Sequence, residues 1–228
     1  MKTAFYQKIK PALILRKQIS IQSILLPLVF LSIFLVSYIF MALQLAPENN
    51  PAFHFGKERG YVTALSAIFL AMTSGFAWGA FFLSGNHFSS TKFFWLFIAL
   101  AFGYLALDEL MMFHERIGYW IKMSNVGPTE TFRNWNDVIV ISYGILALAV
   151  LPLLLPHILK YPKFGEMLTV AFIFYCIHTA IDSLTIKKTF GSIIIEESFK
   201  LFSSAFFSFS MLIGLLGVVA SLRHENRE

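Results

Sequence analysis

The sequence is poor in charge and nearly free of cysteine, and each shortage narrows what it can be. Only 14% of its 228 residues are Asp, Glu, Lys or Arg, where a soluble domain usually carries about 25%. So little charge cannot cover a water-facing globule in which 57% of residues are hydrophobic. The mean hydropathy of +0.69 points instead to lipid as the main solvent. The single cysteine, Cys176, excludes an intrachain disulfide. No internal repeat and no low-complexity tract stands out beyond a bias to phenylalanine. A removable signal peptide is not read either, because the first apolar run is too long and lacks a small-residue cleavage pattern.

What the chain does have is long apolar runs. Six fall at roughly 21–45, 60–84, 93–117, 137–159, 165–186 and 197–221, each near the about 20 residues that cross about 30 Å of hydrocarbon. The loops between them are too short to form a separate soluble domain. The expected architecture is therefore all-α: a six-transmembrane-helix bundle forming one domain over 1–228. The segment 1–20 carries Lys2, Lys8, Lys10, Arg16 and Lys17 without one acid. The positive-inside rule then places the N-terminus in the cytoplasm, and six spans return the C-terminus to the same side. The net charge of +5 is explained by this topology and by anionic lipid, not by nucleic acid. Phe-rich spans and compact loops point to a bacterial inner (plasma) membrane.

Placed on that topology, the ionisable residues gather at the outer side. The third span ends with "LALDELMMFHERIG" (105–118), which holds Asp108, Glu109, His114 and Glu115. The fourth opens with "NWNDVIV" and Asp137, and the fifth carries His178 and Asp182 in "YCIHTAIDSL". The sixth opens near "EESFK", supplying Glu196, Glu197 and Lys200. At about 100° per residue, Glu115 falls close to Asp108 on a continuous helix, while His114 points away. His178 and Asp182, four apart, stack on one face, with Tyr175 continuing it inward. Glu197, Lys200, Ser204 and Ser208 form a polar stripe. These faces are expected to converge on a pocket near the outer membrane surface.

Several of these residues have ordinary structural explanations. Glu196 and Glu197 suit a helix start, where acids oppose the positive end of the dipole. Asn136 or Asp137 suits an N-cap. His114, Tyr119, Trp120 and Trp135 suit an interfacial aromatic belt. The serines of the sixth span and Gly75 and Gly79 suit helix packing. Asp108, Glu109, His178 and Asp182 resist such treatment. They lie inside their spans, where a central Asp costs about 2.5–3.5 kcal/mol to insert.

Mixed His and carboxylate donors suit zinc, iron or manganese. The expected metal ligands are Asp108, His178 and Asp182, with His114 and Glu197 behind them. Glu109 and Glu115 are then the spare carboxylates, available for general-base work on metal-bound water. The substrate would be a lipid or another amphiphile reaching the site from the membrane. The paired ExxH motifs of di-metal helical bundles are absent. Two other readings use the same residues. One is a proton- or cation-coupled transporter or channel, since membrane Asp, Glu and His relay protons, although the inner halves of the spans are almost without ionisable groups. The other is a non-catalytic subunit of a larger membrane complex or homo-oligomer, docking through its acids.

Overall fold

The computed structural model describes residues 21–45, 53–55, 60–85, 89–124, 135–185 and 189–225. The basic segment 1–20 and His87 lie outside the described residues. The described chain is all helical: α1 (Ile21–Leu45), α2 (Tyr61–Leu83), α3 (Ser90–Met111), α4 (Phe113–Met123), α5 (Trp135–Leu159), α6 (Pro162–Leu184) and α7 (Phe190–Glu225). Six of these, all but α4, are long and apolar enough to cross a membrane. Local sequence sets several boundaries. The Ser89 side chain caps α3 by accepting from the Lys92 amide at 3.3 Å. α6 starts at Pro162, whose fixed φ and missing N–H suit a first helical turn. With 36 residues at about 1.5 Å each, α7 reaches about 54 Å, more than a bilayer's hydrocarbon needs.

The helices do not share burial equally. α2, α3, α6 and α7 pack on one another, while α1 and α5 hang on the outside. In α5 none of the most apolar window is buried, against 61% in α7. Serine hydroxyls pin the central helices to one another. Ser66 and Ser204 bond at 2.9 Å between α2 and α7, Ser74 donates to the Ala99 carbonyl of α3, and Ser203 and Ser210 donate to the Ala171 and Phe164 carbonyls of α6. For Ser203, Ser204 and Ser210 of the sixth span, these bonds describe the expected packing role.

One end of this core is aromatic. Phe94, Trp95, Tyr161 and Phe164 fill it, and His157 stacks on Phe94. The aromatics fit because α7 presents glycine there. A Cβ at Gly214 would meet Trp95 Cη2 at 2.7 Å, and one at Gly217 would meet Tyr161 Cδ1 at 2.6 Å.

The third apolar run does not form the single helix over 93–117 that its sequence predicts. It breaks at Met112, whose left-handed backbone (φ 55°) ends α3 and starts α4 on a new axis. The Met112 amide still bonds the Asp108 carbonyl at 2.8 Å, so the chain turns within one residue. The sixth run also differs: α7 begins at Phe190, which places Glu196 and Glu197 well inside the helix rather than at its start. Likewise α5 begins at Trp135, so Asp137 sits in the first turn and is not the N-cap.

Candidate functional site

At the other end of the core, where α2 and α7 begin and α3 and α6 finish, the polar side chains meet in a layer. Its registration follows from the bonds between helices. Tyr175 of α6 donates to the Val140 carbonyl of α5 at 2.8 Å. His178, one turn further along α6, donates from Nδ1 to the Glu196 carbonyl of α7 at 3.2 Å. Lys200, one turn along α7, reaches across to α3. Asp108, Glu109, Asp137, His178, Glu196, Glu197 and Lys200 thus come from four helices at about one level.

The centre of this layer is Lys200. Its Nζ lies 3.0 Å from Glu109 Oε1 and 2.8 Å from Glu197 Oε2. The Glu197 pair is local, since residues three apart on a helix face the same way. The Glu109 pair joins α3 to α7. All three side chains are largely shielded, at 15%, 16% and 8% exposure for Lys200, Glu109 and Glu197. Shielding makes each attraction stronger than in water and makes the loss of any one partner costly. His178 lies within electrostatic reach of Lys200, Asp182 and Glu109, so the stacked His178–Asp182 face belongs to the same assembly.

Asp108 does something different. Buried at 5% exposure, it accepts the His114 backbone N–H at Oδ1 and the His114 ring Nδ1–H at Oδ2, both at 2.9 Å. One carboxylate therefore caps the first turn of α4 and holds the imidazole two residues past the break. His114 does not point away from Asp108, as a continuous helix would require; the left-handed Met112 swings it back. Burial pulls the imidazole pKa down, but the Asp108 hydrogen bond and the charges of Asp108, Glu109 and Glu115 outweigh it and hold the ring above its usual 6.5. Tyr143 and Tyr175 also lie within electrostatic reach of Asp108, and the Tyr143 hydroxyl shares a hydrogen bond with Tyr104 at 3.0 Å.

Two groupings therefore replace the single pocket expected from the sequence. Glu109, Glu197 and Lys200, with His178 and Asp182 beside them, form one. Asp108 and His114 form the other. Glu115 lies within electrostatic reach of His114 and, with Arg116, Tyr119 and Trp120, lines a shallow concavity of about 270 Å³ on α4. Among the described residues, no three His, Cys, Asp or Glu side chains gather as a metal would need. The pairings give the reason. Lys200 supplies the positive charge between Glu109 and Glu197, and His114 takes both oxygens of Asp108. Sequence reading placed Lys200 on the polar stripe but not at its centre, and the signal for that role was its spacing of three from Glu197. The clasp onto His114 had no spacing signal, because it depends on the break at Met112.

A family model described as Domain of unknown function (DUF8692) matches residues 28–215. No curated protein and no solved structure matches the chain.

Proposed function

The chain belongs to the DUF8692 family, and we propose that it is a proton- or cation-coupled transport protein whose coupling site is the layer around Lys200. The protein is integral to a membrane, with both termini cytoplasmic and the layer toward the outer side of a bacterial inner membrane. The observation that carries this reading is the bridge of one ammonium to two carboxylates on different helices. With all three groups ionised the trio has one negative charge in excess, in a setting where excess charge is expensive. A proton is the smallest cation that removes it. Placing that proton on Glu109 leaves Lys200 to Glu197, its partner on α7, and releases the attraction between α3 and α7. Protonation and helix association are thus linked through one side chain, which is the element a coupled carrier needs.

A metal-dependent enzyme, with zinc, iron or manganese held by Asp108, His114, His178, Asp182 and Glu197 and with Glu109 and Glu115 as bases, requires both groupings to open first. Among the described residues, the donors as arranged do not fit a metal. A docking subunit requires these acids to face a partner, whereas Asp108, Glu196 and Glu197 are buried.

The test is charge displacement after a pH jump, recorded from proteoliposomes on a solid-supported membrane. Wild-type protein is expected to give a transient current that Glu109→Gln abolishes. A wild-type trace equal to that of protein-free vesicles overturns the proposal. A stoichiometric metal in protein purified without chelator would move the assignment to the metalloenzyme.

A further inference from the structure

The helix α4, which begins within the third apolar run and continues past its end, has a surface the charge layer does not use. α4 leaves α3 immediately after the membrane-spanning segment ends at Met111, and its eleven residues divide into three sectors. One sector faces the protein: Gly118 is buried against the start of α5, where a Cβ would meet the Asn136 amide nitrogen at 2.7 Å. Only glycine lets the two backbones approach so closely, so α4 is fixed beside the end of a second span.

The second sector is open and mostly apolar, with the exposed Arg116 falling between Trp120 and Met123 on the wheel. Ile117, Trp120 and Met123 recur at three-residue spacing and are 39%, 68% and 64% exposed. Just before the break, α3 is likewise exposed and apolar at Leu107, Leu110 and Met111. The third sector is polar, with Lys122 exposed and Glu115 beside it on the wheel. A helix in water has no use for the second sector, and a membrane-spanning helix has no use for the third. A helix lying in the headgroup plane uses all three. Its aromatic residue is also of the type enriched at that depth.

We propose that α4 is a membrane-surface helix, lying in the phospholipid headgroup layer with Ile117, Trp120 and Met123 in the acyl boundary and Lys122 toward water. The concavity of Glu115, Arg116, Tyr119 and Trp120 then faces the headgroups, offering both signs of charge beside two aromatic rings. The Asp108 clasp on His114 sets the angle at which the helix enters this layer. The proposal goes beyond the role of the Lys200 layer and stands or falls separately.

The experiment places single nitroxide labels at 117, 120, 122 and 123 in Cys176→Ala protein, reconstituted in phosphatidylcholine–phosphatidylglycerol vesicles. Access to oxygen and to a water-soluble nickel chelate is then read by electron paramagnetic resonance. Labels at 117, 120 and 123 are expected to favour oxygen, and the label at 122 the chelate. Chelate-favouring access at all four positions would place α4 in water and overturn the proposal. Shielding of 117, 120 and 123 from both reagents would overturn it in favour of a protein partner. A label-free check uses brominated lipid: the quenched share of tryptophan emission is expected to fall in Trp120→Phe, and an unchanged share contradicts the assignment.

Discussion

The two ends of the core are built by the same three helices and filled with opposite chemistry. At one end α3, α6 and α7 bring Trp95, Tyr161 and Phe164 against Gly214 and Gly217, with ring atoms where a methyl group would clash. At the other, the same helices bring Glu109, His178, Glu197 and Lys200 into one layer. At the aromatic end, close-packed rings on glycine leave no room for added volume. On the proposed reading, the contacts of the charged end depend on which groups carry protons, so that a bundle fixed at one end responds to pH at the other.

The largest effect expected from breaking this contrast lies at the charged end. Lys200→Met leaves Glu109 and Glu197 facing each other without their shared cation. Removing one partner from a buried ion pair costs about 3–5 kcal/mol, readable as a loss of resistance to unfolding in detergent titrations. Adding Glu109→Gln and Glu197→Gln to the same protein is expected to restore most of that loss. A triple variant as fragile as the single one would mean that Lys200 acts by packing and not by charge.

Next comes the aromatic end. Gly217→Ala puts a Cβ 2.6 Å from Tyr161 Cδ1, and overpacking of this kind costs about 1–3 kcal/mol. Its signature is that the pH response of the charged end stays as in wild type while overall stability falls. A changed pH response would show that the two ends are not separable.

The third effect is pH-dependent and belongs to the Asp108–His114 clasp. His114 in the folded protein holds its proton above its usual 6.5, so the protonated ring favours the folded state. That contribution is complete below about pH 6.5, the unfolded value, and is lost as pH rises through the higher folded value. Asp108→Asn is expected to flatten this part of the thermal-stability profile. An unchanged profile would assign the dependence to another group. The smallest effect is that of Ser66→Ala, which removes one hydroxyl bond to Ser204. Such bonds average about 0.6 kcal/mol inside membranes, so the melting temperature should barely move.

How much of this was legible in the sequence differs along the chain. The six long helices were, because apolar run length is a direct reading of membrane thickness. The first run matches α1 at 21–45, and the second differs from Tyr61–Leu83 by one residue at each end. The break at Met112 was not legible. Met is an ordinary helix former and no Gly or Pro marks the site, so a left-handed residue there is a tertiary solution that local propensity does not announce. The direction of His114 and the separate helix α4 were not legible for the same reason. At the sixth run, Glu196 and Glu197 suit a helix start, yet the residues "FGSIII" before them belong to α7, which begins at Phe190. The gathering of acids was legible as a level in the membrane, since that needs only span order. Which acid takes which cation was not, since that depends on side-chain reach across helices, as in Lys200 to Glu109.

The measurement that tests the central claim most directly is pH-difference infrared spectroscopy of the reconstituted protein, wild type beside Glu109→Gln and Lys200→Met. The account predicts a carboxylic C=O band on acidification that vanishes in Glu109→Gln and is altered in Lys200→Met, where the bridging ammonium is gone. A spectrum in which Glu109→Gln is indistinguishable from wild type across the titration would contradict it.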